Sequence, residues 1–447
     1  MLKAIALQKE ANKKNVIVTY QMRKNRLIAL QKAVKKYEKE IYEALFFDLR
    51  KDEWEVFVTE LSIVYEEIHI ALKHLKRWMK PKRIKSALVQ FPAKNYIMHD
   101  PYGQVLIMSP WNYPLQLTLV PLVGAIAAGN VAVIKPSAYA PKIAEVMKKL
   151  IEEAFPNGEV LLFLGGRAVN EEVLKAIYDM IFFTGSPEVG KIVMRRASET
   201  LTPVVLELGG KSPFIITEDA DIPLTVRRLK FAKLINNGQT CVAPDYVLMD
   251  AKVLPRLAEF QEVFDLFPDE EERLPKIINQ KHYLRLKEYL VELGIPHFVD
   301  NTETIKPTLV VNPPLDSKVM QEEIFGPILP IIVYENLDEA ISFINERPKP
   351  LALYLFTKSK KTINKVLQST SSGSVGINDA VVQLANPHFP FGGVGNSGMG
   401  AYHGIHSFKA FSHQKAVLHK SRLFDFKFRY DVGDKTVGIF KKLTRVK

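Results

Sequence analysis

Apolar side chains recur every three or four positions between about residues 3 and 80, first at Leu27, Leu30, Val34, Tyr37 and Ile41, then at Leu61, Val64, Ile68, Ala71, Leu72 and Leu75. That period predicts amphipathic helices, and no glycine interrupts the stretch, so at least two of them are long. Pro81 and Pro92 bracket a short link, and the mixed pattern from Lys94 to Asp100 predicts an exposed strand. From Gln104 to Gly209 the pattern changes to short apolar runs alternating with helical segments. Runs at 105–108, 131–134, 160–163, 180–183 and 204–206 read as buried strands, with helices near 116–128, 141–153, 169–178 and 187–199 between them.

Strand and helix in alternation predict a parallel sheet covered on both faces, with ligands at the carboxyl ends of its strands. A second alternating series follows, with strands near 213–216, 246–249, 308–311, 328–334 and 353–356, and helices around 282–293 and 337–345. It predicts a second α/β domain. No fixed-period repeat or low-complexity tract is present, and beyond about residue 400 glycine-rich sequence gives way to a tail that interleaves bases with aromatics, as at Arg422 to Tyr430.

Composition narrows the class without naming a function. The 447 residues, 47% hydrophobic and 25% charged, suit a globular protein of two or three domains. A single cysteine fits a reducing cytoplasm, the first ten residues mix charge into their apolar positions unlike a signal peptide, and no apolar run is long enough to cross a membrane. The net charge of +12 comes from scattered lysines and arginines and reads mainly as a solvated basic surface. Nucleic acid is not expected as a partner, because the aromatic and basic boxes of RNA-binding sheets are missing. Weak peripheral contact of the basic C-terminal tail with a membrane surface is the one lipid interaction expected.

Chemistry concentrates at strand ends and the turns behind them. Cys241, the only cysteine, lies in Asn236-Asn237-Gly238-Gln239-Thr240-Cys241-Val242-Ala243-Pro244, a polar turn rather than an apolar stripe. One thiol cannot form an internal disulfide or a cysteine-rich metal site, so it is either a small buried hydrophobe or a nucleophile, and no metal site is expected. The turn favours the nucleophile, with backbone N–H groups stabilising a thiolate. Asn112, in Ser109-Pro110-Trp111-Asn112-Tyr113-Pro114, either closes a turn or offers a neutral, directional donor to an oxyanion. Lys135 ends the strand before Pro136 and Ser137, and Gly185-Ser186 opens a helix after a strand without forming a GxGxxG or Walker pattern. Glu207, before Leu208, Gly209 and Gly210, is either a desolvated general base or an ion-pair partner of Lys211.

Together with Cys241, the segments Ser109 to Pro114, Glu207 to Lys211, and Glu322-Glu323-Ile324-Phe325-Gly326-Pro327 resemble the aldehyde dehydrogenase superfamily in order and separation, over nearly the whole chain. The ending from Pro390 to Gly404 looks most like the class 3 branch of fatty and aromatic aldehyde dehydrogenases. The resemblance implies an α/β fold with a Rossmann-type cofactor domain, a second α/β catalytic domain and a small β excursion for oligomerisation. It would divide the chain into 1–81 with 100–207 for the dinucleotide, 208–400 for catalysis, 82–99 with 401–425 for a homodimer contact, and 426–447 as the basic tail.

The activity implied is NAD- or NADP-dependent oxidation of an aldehyde to an acid. Cys241 would be the nucleophile, Asn112 and the Cys241 backbone N–H the oxyanion donors, and Glu207 the base that activates water. Lys135, Gly185, Ser186, Leu208, Gly209, Glu323 and Phe325 would contact the cofactor, Lys135 and Ser186 on the adenosine half and Glu323 and Phe325 on the nicotinamide half. Ala138 stands where many NAD-preferring relatives carry glutamate, which predicts that NADP is accepted. Tyr113 and Tyr65 are candidates for an aldehyde tunnel. Competing readings are a CoA-acylating or thioester-reducing relative on the same fold, a cysteine hydrolase, and a basic anion-binding protein.

Overall fold

The computed structural model describes residues 1–14, 17–87, 90–265, 275–295 and 304–425, with isolated positions beyond. Most of the basic tail, including 426–429 and 442–447, lies outside the described residues. The fold is mixed α/β, with two six-stranded sheets and one three-stranded sheet.

The first large sheet carries the pattern of continuous apolar runs. Its order is Gly398–Met399, Val204–Leu208, Met180–Gly185, Gln104–Met108, Val131–Lys135 and Val160–Leu162, parallel except for the short antiparallel edge Gly398–Met399. Gln104–Met108 is first in the chain yet central, and the order runs outward from it in both directions, so its carboxyl end is the topological switch point. The segment Ser109 to Pro114 begins there. Behind it the helix Gln116–Ala128 is buried along its whole length. Its last carbonyls would be orphaned in that position, but the buried Arg23 guanidinium donates to Ala127 O at 3.0 Å and Ala128 O at 2.7 Å.

The second large sheet is all parallel, in the order Thr308–Val311, Ile328–Tyr334, Pro244–Asp250, Ser212–Ile216, Ala352–Phe356 and Ser374–Ile377. Most strands read from the apolar runs fall within two residues of their observed ends. Ser374–Ile377 escapes sequence reading because Ser372, Gly373 and Gly376 break its apolar run. The strand Ala93–Pro101, expected to be exposed, is largely half-buried, because Ser412–Lys420 covers one edge and Lys82–Ile84 the other.

The N-terminal helices pack on the helices of the first sheet. Two of them, Glu53–Val56 and Ser62–Trp78, are joined without a break by a π-helical turn, Phe57–Leu61. The Ser62 N–H donates to Phe57 O, five residues back, and the Thr59 hydroxyl takes the Glu55 carbonyl at 2.7 Å.

Candidate active site

Asn112, Glu207 and Cys241 come from different elements and line one cavity of about 930 Å³. Glu207 lies in Val204–Leu208, opposite Thr184 of the parallel neighbour and Gly398 of the antiparallel edge. That edge needs its glycines, since a Cβ on Gly398 would lie 2.1 Å from Leu206 O and one on Gly393 2.0 Å from Ser397 O. The glycine-rich ending is therefore the piece of chain flat enough to seal the Glu207 strand.

Both Glu207 carboxyl oxygens are buried without a hydrogen-bond partner among the described residues. Burial pushes this carboxyl well above its usual range. Lys211 does not pair with it. The Lys211 ammonium is bound to Asp245 and to the carbonyls of Val319 and Glu322, both at 2.8 Å. Of the two sequence alternatives for Glu207, the ion pair is excluded and the desolvated acid remains.

Cys241 follows the turn Ile235–Gly238, in which Asn236 and Asn237 take left-handed backbone angles, φ 51° and 52°. Gly238 has φ 74°, and a Cβ there would meet Gly326 O at 2.3 Å, so only glycine lets this turn press against the Phe325–Gly326 segment. Backbone N–H groups of Cys241 and Val242 do favour the thiolate, as the sequence suggested. They are outweighed: burial, then the Glu323 and Glu207 carboxyls, push the thiol up to about 12.

Asn112 is buried, and its amide donates to Gln239 O at 3.1 Å. A carboxamide has two N–H bonds, so this contact fixes the group and leaves one donor for the cavity. Tyr113 and Tyr65 do not line the cavity. The Tyr113 hydroxyl is bonded to Thr240 Oγ1 at 2.6 Å, and the Tyr65 hydroxyl to Glu38 at 2.7 Å.

Gly185, Ser186, Leu208, Gly209, Glu323 and Phe325 also border the cavity. Ser186 caps the helix Pro187–Ser198, whose N-terminal turn faces the same space, an electropositive end suited to phosphate. Gly209 is a cradle: a Cβ would lie 2.0 Å from Glu323 Oε2. Burial and the neighbouring Asp245 push Glu323 up to about 8 against the Gly210 N–H bond. Phe325 sits at φ 49° and meets Trp111 edge-on at 5.4 Å, with His282 on the other side of Trp111 at 5.3 Å. Lys135 is absent from the cavity wall; its ammonium folds onto Pro136 O at 2.6 Å, and burial lowers it to about 8.

A cavity of this volume with a helix N-terminus and an aromatic wall among its linings fits a dinucleotide, and the unpartnered Thr184 hydroxyl and Glu207 carboxyl are polar atoms facing that space. Sequence reasoning missed Thr184, Tyr402, His282 and Arg285 on the wall. A threonine inside an apolar strand and an arginine on a polar helix give no distinguishing signal.

The sequence model of the aldehyde dehydrogenase family matches residues 1–417. The chain is 47% identical over 409 residues to the 4,4'-diaponeurosporen-aldehyde dehydrogenase of Staphylococcus aureus, covering 89% of each. It is 42% identical over 411 residues to the dimeric NADP-preferring aldehyde dehydrogenase of Rattus norvegicus, covering 90% of this chain and 91% of that one. A solved structure described as the substrate-bound state of Staphylococcus aureus AldH superposes with a TM-score of 0.95 at 42% identity, covering 99% of both chains.

Proposed function

Because the chain belongs to the aldehyde dehydrogenase family and so oxidises an aldehyde to an acid with NAD or NADP, we propose that Cys241, Asn112 and Glu207 carry the reaction. The observation behind this assignment is their convergence, from three separate elements, on one cavity that also holds a helix N-terminus and the Gly209–Glu323 cradle.

The Cys241 thiol releases its proton to solvent in the cavity as its sulfur bonds to the aldehyde carbon, and the free Asn112 N–H and the Cys241 backbone N–H hold the oxyanion formed from the carbonyl oxygen. Glu323 and Phe325 would hold the nicotinamide ribose and ring of a bound dinucleotide, and Ser186 with the helix behind it would take its phosphates. When bound, the dinucleotide supplies the hydride acceptor. The thioester left on Cys241 is cleaved by water whose proton Glu207 takes, so the acid leaves and the thiol is restored. A carboxyl poised for that step is what a CoA-acylating enzyme does not need.

A homodimer in the cytoplasm is part of the same proposal. The name of the rat relative supports the dimer, and among the described residues no helix is long and apolar enough to cross a membrane.

The decisive assay follows nicotinamide reduction over a panel of aliphatic and aromatic aldehydes with each cofactor, beside Cys241→Ala and Glu207→Gln. Cys241→Ala should abolish reduction. Glu207→Gln should give one burst of reduced nicotinamide per site and then stall. A wild-type steady rate from Cys241→Ala would remove the covalent step.

A further inference from the structure

Two acids from the N-terminal helices, Glu55 and Glu60, and the Lys51 ammonium from the link before them lie under the active-site loops without reaching the cavity. Glu60 and Lys51 form an ion pair at 2.9 Å with no side-chain exposure. The other Glu60 oxygen accepts the N–H groups of Leu115, at 2.8 Å, and Gln116, at 3.2 Å. Lys51 donates to the Asn112 backbone carbonyl at 2.8 Å and lies 4.0 Å from the centre of the Tyr113 ring. The turn bearing Asn112 is thus fastened at both ends. Glu55 grips the other loop, accepting the Asn236 N–H at 2.7 Å. Asn236 closes the frame, its side chain donating to Asn112 O at 2.9 Å and Gln239 O at 3.2 Å.

The helix that carries these acids is built for the purpose. In an α-helix, residues five apart face about 140° away from each other. Glu60 lies inside the π-helical turn Phe57–Leu61 and Glu55 just before it, and the wider turn, with its five-residue hydrogen bond, brings two acids five apart onto one buried side. A buried pair such as Lys51 and Glu60 is a poor source of stability, because desolving two charges offsets their attraction. Its geometric effect is specific, as every remaining bond of the pair goes to the Asn112 turn.

We infer that Lys51, Glu55 and Glu60 are positioning residues that set the separation of the oxyanion donor Asn112 from the nucleophile Cys241, with the π-helical turn fixing their register. The inference rests on the catalytic assignment above. Lys51 and Glu60 act on the Asn112 side of the frame, and Glu55 on the cysteine side.

The test uses the full chain and two readouts per folded site: the rate of the nicotinamide burst, which needs the oxyanion donor, and the rate of Cys241 alkylation by iodoacetamide, which does not. Glu60→Gln keeps shape and removes charge, and it should slow the burst by about tenfold or more, as expected for a misplaced donor, while alkylation stays within about twofold. Lys51→Met should behave alike, with Lys51→Arg recovering part of the burst. Glu55→Gln should change both rates.

Asn112→Ala is the control for the underlying assignment. If it slows the burst and Glu60→Gln does not, the positioning role falls and the catalytic assignment stands. If Asn112→Ala is itself without effect, both fall. Parallel loss of both readouts in Glu60→Gln, in step with loss of folded protein, would reduce the pair to a structural role and overturn the inference; Lys51→Arg supplies the same comparison should Glu60→Gln not fold.

Discussion

Both Glu207 carboxyl oxygens are buried without a hydrogen-bond donor among the described residues, and burial raises the pKa of this carboxyl, with a consequence for stability as well as for rate. Its folded-state affinity for the proton exceeds that of an unfolded glutamate, whose pKa is about 4.3. Stability from this group is therefore complete below that value and is lost as pH rises toward the folded pKa. Glu207→Gln should leave Tm nearly unchanged at pH 4 and raise it relative to wild type at pH 8; equal differences at both pH values would deny the buried acid. Thioester hydrolysis should accelerate with pH in the wild type, since only the ionised form accepts a proton from water.

The thiol responds to its neighbours in the same way. Glu323 is the larger of the two carboxyl contributions that hold Cys241 up near 12, so Glu323→Gln should lower the thiol pKa and speed alkylation by iodoacetamide at pH 8. An unchanged rate would detach Glu323 from the sulfur. Ala138, where many NAD-preferring relatives carry glutamate, tests the choice of cofactor at the same scale. It is exposed just past the strand Val131–Lys135, and no carboxylate stands there to bind a ribose hydroxyl or repel a 2′-phosphate. Ala138→Glu should lower kcat/KM for NADP relative to NAD by about tenfold, equivalent to about 1.4 kcal/mol. Single residues of this kind were legible in sequence when a motif surrounded them. Lys51, Glu55 and Glu60 were not, because a charge on a helix reads as a solvated face and nothing local announces that the helix is buried there.

Among the elements, the parallel strands were legible because continuous apolar runs of four or five residues have few other uses in a chain of this composition. The π-helical turn was not. A π turn adds one residue to a helix without altering composition, and its partners, Asn236 and Leu115, are far away in sequence. The glycine-rich segment before Gly404 was visible as a motif, but its task was not: Gly398–Met399 pairs with Leu206 and Glu207, and the Leu208 N–H donates to Ser397 O at 3.0 Å. Gly398→Val puts a Cβ near Leu206 O at φ 142°, a conformation that valine avoids. Overpacking and backbone strain should together cost roughly 2–4 kcal/mol in denaturant unfolding. Turnover should fall further than the folded fraction, since the displaced strand carries Glu207, the proposed base. Loss of turnover only in proportion to folded protein would show that the edge supports stability alone.

For the whole molecule, the three-stranded sheet is the part that the two large sheets do not explain. Its register puts Ile84 and Leu418 opposite the same residue, Asn95, so both side chains emerge on one face. They are 41% and 53% exposed, on a sheet whose outer strand Ser412–Lys420 is nine residues long and mostly open to solvent. A long edge strand with apolar neighbours invites pairing with another chain, and basic residues such as Lys415 and Lys420 along it limit that pairing to a partner of matching shape and charge. A second copy of the chain meets this condition through two-fold symmetry. Light scattering should therefore give about twice the 50.7 kDa chain mass. Ile84→Asp with Leu418→Asp should shift that mass toward the monomer at low concentration and make Tm concentration-dependent. A dimer that resists both substitutions would move the contact away from this sheet.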